Sequence, residues 1–172
     1  FLMKKNKIDI INGHGKVLPG KRVSVSNGKK TNEYSAKHII IATGARSKEL
    51  PSIPQDGKNV IGYRKAMTLE KQPKKLVVIG SGAIGIEFAY FYNAMGTEVV
   101  IVEYLDRILP VEDEEISKQL ERSFKKSGIK IHTNAEVKKV ETKNKSVDVT
   151  IKTKSNEEII NADIVLSAVG IK

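Results

Sequence analysis

The chain has 172 residues, a formal net charge of +10 and no cysteine. This length allows one large domain, or one domain with part of another. The lack of cysteine excludes disulfides, thiolate metal sites and a thiol nucleophile. The positive charge is concentrated in residues 1–75, which contain 17 basic and 5 acidic residues. Residues 76–172 contain 13 basic and 15 acidic residues. Because the basic residues are mostly scattered lysines with few aromatic residues between them, they indicate a solvated surface rather than a nucleic-acid site.

Neither a signal peptide nor a membrane span is predicted. The apolar part of residues 1–10 is too short for a signal peptide, and no small-residue cleavage site follows it. The apolar stretch 76–95 is interrupted by Glu87 and three glycines, which favours a strand and a helix over a bilayer segment. We therefore expect a soluble intracellular protein.

The amino-terminal part is predicted to be rich in β-structure. Residues 8–11 form a short apolar run, and residues 22–26 alternate before Asn27-Gly28, a strong hairpin turn signal. The continuous apolar run 38–44 is typical of a strand buried on both faces.

A linker is predicted at residues 45–75, where proline and glycine break any long element, with a short helix at about 64–70. Composition and pattern change after it. We place a partial, β-rich domain and linker at 1–62 and a second domain at 63–172.

The second domain is predicted to be an α/β, Rossmann-like unit with a β-meander inserted before its last strand. Buried apolar runs alternate with two helices, the first capped by Gly96 and the second acidic at its start and basic at its end. The predicted strands are 75–80, 97–103, 129–132, 136–141, 146–152, 157–160 and 162–170, and the predicted helices end at 95 and span 112–127.

A Gly-x-Gly-x-x-Gly motif lies between the first of these strands and its helix. It consists of Gly80, Ser81, Gly82, Ala83, Ile84 and Gly85. In a dinucleotide site the first glycine allows the tight turn, the second lets the backbone approach a pyrophosphate, and the third lets helix and sheet pack closely. The pyrophosphate then meets the free N–H groups at the helix start. This order of elements predicts a dinucleotide site.

Glu103 completes the fingerprint, 18 residues after Gly85 and at the end of the next strand. A carboxylate there accepts hydrogen bonds from both hydroxyls of an adenosine ribose and repels the 2′-phosphate of NADP. Arg107 follows and is the alternative, as a contact for that phosphate. Because the acid occupies the recognition position, the sequence favours NAD.

Other polar residues give weaker signals. Glu87 lies just behind the glycine loop, and two interpretations stay open: an ordinary helix residue, or one that faces the nicotinamide end of the ligand. His14, His38 and His132 have no metal-ligand spacing, so we predict no metal site.

Several segments resemble the flavoprotein disulfide reductases, or pyridine nucleotide-disulfide oxidoreductases. KLVVIGSGAIGIEFAYFYNAMGTEVVIVE (75–103), then LDRILP (105–110) and the acidic helix start, is similar to their NAD domain. IINGHGKV (10–17) resembles a segment near the adenine end of FAD, and IATGA (41–45) resembles the ATG motif of the same domain. IVLSAVG (164–170) resembles the strand that ends the NAD domain. The resemblance covers essentially the whole chain.

The resemblance implies contacts to two cofactors, NAD and FAD. Val137 would flank the adenine of NAD, and Gly170 would lie beside the nicotinamide end. The complete set for NAD is Gly80, Ser81, Gly82, Ala83, Ile84, Gly85, Glu87, Glu103, Val137 and Gly170. The set for FAD in the intact enzyme is Gly15, Thr43, Gly44 and Ala45. No catalytic residue is assigned within the chain, and Glu87 is the one candidate near the nicotinamide.

The resemblance is strongest to the dihydrolipoamide-oxidising branch of the family. It implies an NAD-dependent flavoprotein that transfers hydride between FAD and NAD, forms a homodimer and serves the lipoyl domain of a 2-oxo acid dehydrogenase complex. The family's amino-terminal FAD fingerprint, redox cysteine pair and carboxy-terminal His and Glu base are missing. We therefore expect a fragment of a longer protein, inactive in dithiol chemistry because it has no thiol.

Two other functions stay open. An NADH oxidase, CoA-disulfide reductase or other NADH-dependent flavoprotein reductase would share the NAD domain and differ in the cysteines outside this chain. A non-catalytic dinucleotide-binding redox sensor would use the basic residues 1–75, although these show no helix-turn-helix pattern.

Overall fold

A computed structural model describes residues 1–154 and 156–172, which form two compact units, 1–44 and 45–172. The helices are α1 Leu2–Lys5, α2 Tyr63–Ala66, α3 Ala83–Ala94 and α4 Glu114–Lys126. The strands are β1 His14–Leu18, β2 Arg22–Ser26, β3 Thr31–Ser35, β4 Val60–Ile61, β5 Lys75–Ile79, β6 Glu98–Val102, β7 Lys130–His132, β8 Glu136–Thr142, β9 Val147–Lys152, β10 Glu157–Ala162 and β11 Ile164–Ser167.

The first unit contains an antiparallel sheet in the order β1-β2-β3. The predicted strand 22–26 and its hairpin are present, and Asn27 Oδ1 accepts hydrogen bonds from the N–H groups of Lys29 and Lys30 in the turn. The apolar run at 8–11, in the part predicted to be rich in β-structure, forms no strand, because the chain there is irregular and β1 begins at His14.

The predicted buried strand at 38–44 is also wrong. These residues form no strand, and Ile40 and Ile41 are 89% and 71% exposed. A strand buried on both faces needs paired neighbours and covering layers, and no described strand pairs with this segment. The apolar run therefore lies open to solvent.

The second unit is organised by a parallel sheet in the order β4-β11-β5-β6-β7. Alternate residues of β5 point to opposite faces, so Val77 and Ile79 enter one hydrophobic cluster while Leu76 and Val78 enter another. This explains the unbroken apolar sequence, since both faces of the sheet are covered. The predicted α/β class is confirmed.

Two helices cover one face of this sheet. α3 buries Ile86, Ala89 and Tyr92, and its predicted stop at Gly96 is present, with φ at +93°. Asp113 caps the amino terminus of α4, where its carboxylate accepts a hydrogen bond from the N–H of Glu115. The predicted helix 64–70 shortens to the single turn of α2.

An antiparallel meander, in the order β10-β9-β8, covers the other face. Val147, Val149 and Ile151 of β9 are fully buried in the same cluster as Val77 and Val100 of the parallel sheet. The predicted insertion is therefore confirmed at 136–162, where it forms the second layer of the core.

Residues within the predicted linker belong to the parallel sheet. Val60 and Ile61 pair with Val165 and Leu166 of β11, which the sequence did not indicate. The second compact unit therefore begins at Ala45, ahead of the domain boundary predicted at 62 and 63.

Asp56 organises the turn that leads into β4. Its Oδ1 accepts hydrogen bonds from the N–H groups of Lys58, Asn59 and Val60 at 2.8 to 2.9 Å. Burial acts to raise the pKa of Asp56, but these bonds and one from Thr142 outweigh it, so the pKa lies below its ordinary value of 3.8. The stabilisation is therefore complete above that value and is lost as the pH falls through the folded-state pKa.

We expect Asp56→Ala to lower the free energy of unfolding by about 1 kcal/mol, because three backbone N–H groups at the surface exchange the carboxylate for water. Urea unfolding at pH 7 and pH 3 measures this, and the difference from the wild-type chain should shrink at pH 3. Asp106→Ala is the matched control. The carboxylate of Asp106 is exposed, and its ion pair with Arg107 is long at 3.9 Å. A pH-independent loss at Asp56 would contradict the assignment to the ionised carboxylate.

No helix in the described ranges combines the length and apolar character needed to cross a membrane.

Candidate functional site

A cleft of about 760 Å³ opens at the carboxyl ends of β5, β6 and β11. Crevices at this edge of an open parallel sheet are where such folds bind ligands. The lining residues are Leu50, Ser52, Ile53, Ile79, Gly80, Ser81, Gly82, Ala83, Ile84, Val102, Glu103, Tyr104, Ala135, Glu136, Val137, Ala168, Val169, Gly170 and Ile171.

The glycine motif forms one wall, and each glycine has a distinct structural reason. Gly80 has φ at +92°, and a Cβ there would lie 2.7 Å from the carbonyl oxygen of Ala168. A Cβ on Gly85 would collide with the carbonyl oxygen of Gly80, so only glycine allows α3 to approach the turn. A Cβ on Gly82 would meet no atom within 4 Å, so this position is open toward the cleft.

The start of α3 supplies donors for an anion. The first helical hydrogen bond described here runs from Ile86 N–H to the carbonyl of Gly82. The N–H groups of Ala83, Ile84 and Gly85 precede it and have no acceptor within the helix. With open space above Gly82, this geometry fits a pyrophosphate.

Glu103 also lines the cleft, beside the glycine motif; it is 7% exposed and lies just after β6. Its Oε2 accepts hydrogen bonds from Ser81 N–H at 2.8 Å and from Ser81 Oγ at 2.6 Å. Its Oε1 accepts one from Leu105 N–H at 2.9 Å. The structure thus ties the acid to the glycine loop, which spacing alone did not indicate.

The loop after Glu103 closes against the glycine motif. Leu109 N–H donates to the carbonyl of Ser81 at 2.9 Å, and Leu109 has φ at +50°. The neighbouring Ile108 is fully buried, and the carbonyl of Leu109 accepts from Ser117 Oγ at 3.0 Å. Residues 105–110 therefore hold the glycine loop in place through the hydrogen bond from Leu109 to Ser81.

The lining of the cleft also includes the remaining predicted NAD residues except one. Val137, half-buried on β8, lines it near Glu103, while Gly170 lies past the end of β11 with φ at +113°. The segment holding Gly170 is fixed by a hydrogen bond from Lys48 N–H to its carbonyl at 2.9 Å.

Glu87 is the exception. It is exposed on the second turn of α3 and does not line the cleft. It borders a separate cavity of about 460 Å³ together with Phe88, Phe91 and Met95. Its contact with a nicotinamide stays a prediction.

The predicted FAD residues are divided between the two units. Gly15 is exposed on β1, and Thr43 and Gly44 are exposed in the irregular segment that ends the first unit. Ala45 begins the second unit, where its carbonyl accepts hydrogen bonds from Tyr63 and Arg64.

Arg107 and the histidines take no part in the cleft. Arg107 Nη2 donates to the carbonyl of Pro110 at 3.3 Å, and Arg107 does not line the cleft. His132 lies 3.2 Å from Glu158, a pairing that the sequence did not indicate. Across the described residues, no group of three or more His, Cys, Asp and Glu residues is placed to hold a metal ion.

Sequence reasoning missed the lining from residues 50–53 and most of 168–171. Residues 50–53 carry no ligand-binding motif, and the sequence assigned them to a linker. The second follows the buried strand β11, and the rule that ligands bind beyond the carboxyl ends of parallel strands could have identified it.

Comparison with known proteins gives a consistent result. The family model described as pyridine nucleotide-disulphide oxidoreductase matches residues 1–172. The chain is 45% identical over its whole length to 39% of a dihydrolipoyl dehydrogenase from Rhizobium etli. Over 98% of its length it is 38% identical to a dihydrolipoyl dehydrogenase from Bacillus subtilis, and the match covers 38% of that protein. Over the same share of its length it is 38% identical to a leghemoglobin reductase from Glycine max, and the match covers 33% of that protein. The chain thus spans about two fifths or less of these relatives.

Solved structures share the fold. LpdA from Mycobacterium tuberculosis matches with a TM-score of 0.82 at 28% identity, over 98% of this chain and 38% of that one. An NAD-dependent persulfide reductase from A. fulgidus matches with a TM-score of 0.77 at 28% identity, over 99% of this chain and 33% of that one. The matching family uses FAD and NAD, in agreement with the predicted cofactors.

Proposed function

The chain belongs to the pyridine nucleotide-disulphide oxidoreductase family, and we propose that it is the NAD-binding part of a flavoprotein dihydrolipoamide dehydrogenase. The observation that carries this proposal is the cleft, in which an open Gly82, the start of α3 and the carboxylate of Glu103 lie along one wall. Relatives named dihydrolipoyl dehydrogenase at 36–47% identity support the choice within the family.

The residues of the cleft would bind NAD in an extended arrangement. The N–H groups at the start of α3 would hold the pyrophosphate, and Glu103 would accept hydrogen bonds from the adenosine ribose. Val137 would flank the adenine, and Gly170 would lie at the nicotinamide end. Glu87 does not line the cleft. It would contact the nicotinamide if that end of NAD extends beyond the residues that line the cleft.

When bound, FAD and NAD would supply the hydride-transfer chemistry, while the protein orients them and excludes water. Gly15, Thr43, Gly44 and Ala45 would contact FAD in the intact enzyme. Residues 1–62 would then be a partial FAD-binding domain with its linker, and residues 63–172 the NAD-binding domain, whose sheet takes in β4 from the linker. The chain itself would be inactive with dithiols, because it has no thiol.

The proposed setting follows from the same relatives. The full-length protein would be a homodimer whose partner is the lipoyl domain of a 2-oxo acid dehydrogenase complex. It would act in the bacterial cytoplasm or, in a eukaryote, in the mitochondrial matrix.

A second candidate is an NADH-dependent flavoprotein reductase with another electron acceptor. It is favoured by one observation: a leghemoglobin reductase and a persulfide reductase match the chain over nearly its whole length. The coding sequence on either side of this chain separates the two. A Cys-x-x-x-x-Cys pair upstream and a His-Pro with a later Glu downstream would support dihydrolipoamide dehydrogenase.

We expect the chain to bind NADH with a lower Kd than NADPH, by about tenfold or more, because the buried carboxylate of Glu103 would repel the 2′-phosphate. Calorimetric titration of the chain with each nucleotide, at one fixed salt concentration, measures the ratio. Equal or tighter binding of NADPH would overturn the NAD assignment. No binding of either nucleotide would overturn the site.

A further inference from the structure

Glu103 faces the cleft with most of its hydrogen-bonding capacity already used. A carboxylate offers about four lone-pair sites. The N–H and hydroxyl groups of Ser81 occupy two on Oε2, and the N–H of Leu105 occupies one on Oε1. Among the described residues, one site is left. An adenosine ribose has two hydroxyls to donate, so one existing donor must withdraw.

The three donors differ in how easily they can withdraw. The N–H of Ser81 is fixed by the loop, since Gly80 N–H donates to the carbonyl of Val102 and Leu109 N–H donates to that of Ser81. The N–H of Leu105 is fixed by the hydrogen bond that the carbonyl of Leu105 accepts from Asn134 N–H at 2.7 Å. The hydroxyl of Ser81 alone can turn away by rotating about side-chain bonds, with no backbone movement.

We propose that the Ser81 hydroxyl competes with the adenosine ribose for Oε2 of Glu103 and thereby lowers the affinity of the site for nucleotides with two free ribose hydroxyls. This inference rests on the proposed function, because it requires NAD to bind with its ribose at Glu103. In the free chain the hydroxyl holds the carboxylate in position. In the complex a ribose hydroxyl replaces it, and the buried serine gives up a hydrogen bond.

The cost of that exchange sets the expected effect. A net hydrogen bond corresponds to about three- to tenfold in an equilibrium constant. Removing the hydroxyl removes the competitor and leaves both backbone donors in place. Ser81→Ala should therefore bind NADH about three- to tenfold more tightly than the wild-type chain.

The test compares NADH with its analogue that lacks the 2′-hydroxyl on the adenosine ribose. The analogue donates from one hydroxyl only, and one lone-pair site of Glu103 is already free. Ser81→Ala should therefore leave its Kd unchanged within about twofold. A Kd for NADH that is equal or higher in Ser81→Ala, or an equal gain for the analogue, would overturn the competition.

Two further variants keep the result interpretable. Ser167→Ala removes another buried serine hydroxyl, one with no hydrogen-bond partner among the described residues, and should leave both Kd values unchanged. Ser81→Cys keeps the size of the side chain but donates weakly, so it should shift the Kd for NADH in the same direction. It replaces Ser81→Ala if circular dichroism shows that variant to be unfolded.

Failure of this inference can be told from failure of the proposed function. A wild-type chain that binds NADH in preference to NADPH, with no gain in Ser81→Ala, overturns only the role of the hydroxyl. A wild-type chain that binds neither nucleotide overturns both.

Discussion

A single methyl group at Gly82 is expected to weaken nucleotide binding strongly while the free fold stays intact. Gly82 has φ at −67° and ψ at −179°, which any residue adopts, and a Cβ there would contact no atom within 4 Å. Gly82→Ala should therefore change the free energy of unfolding by no more than about 1 kcal/mol. The same methyl group would occupy the space through which a pyrophosphate approaches the backbone. We expect the Kd for NADH to rise by about a hundredfold or more.

Gly85→Ala is the opposite case and the matched control. Its Cβ would collide with the carbonyl oxygen of Gly80, a backbone atom that cannot turn aside. We expect the free energy of unfolding to fall by about 3 kcal/mol or more. Urea unfolding and NADH titration of both variants measure the two effects. Normal NADH binding by Gly82→Ala would contradict the proposed path of the pyrophosphate, and normal stability of Gly85→Ala would contradict the close packing of α3.

The contrast between these glycines also shows where sequence reasoning works. The fingerprint from Gly80 to Gly85 and the apolar run of β5 are local patterns, and the structure has the turn, helix and strand where they predict them. The run at 38–44 has the same apolar character as β5, yet it is exposed. A buried strand is defined by its neighbours, and β5 has β11 and β6 beside it while no described strand pairs with 38–44.

The same limit applies to the cleft. Glu103 was predicted from its distance to Gly85, because a second strand beside the first brings its end to the same edge of the sheet. Its hydrogen bonds to Ser81 and the anchoring of Ser81 by Leu109 were not predicted. Both depend on how the loop after β6 folds back, and a φ of +50° at a leucine is a conformation for which the sequence gives no signal.

Glu103→Gln is expected to remove most of the preference for NADH over NADPH. The amide has nearly the size of the carboxylate but no charge, so the repulsion of a 2′-phosphate is lost. At a few ångströms that repulsion corresponds to about tenfold or more in relative affinity. The amide NH₂ would also face the N–H of Leu105 or the donors of Ser81, so the free energy of unfolding should fall by about 1–3 kcal/mol.

Glu98→Gln separates the effect of position from the effect of charge. Glu98 starts the strand that Glu103 follows, and its carboxylate is exposed beside Lys75 and Lys130, away from the cleft. Glu98→Gln removes one negative charge, as Glu103→Gln does, and should leave the ratio of the Kd values for NADH and NADPH unchanged. The ratio of the two Kd values is the informative quantity. Partial unfolding of Glu103→Gln raises both apparent Kd values by the same factor, and that factor cancels in the ratio. A preference for NADH that survives in Glu103→Gln would assign the discrimination to another residue that lines the cleft.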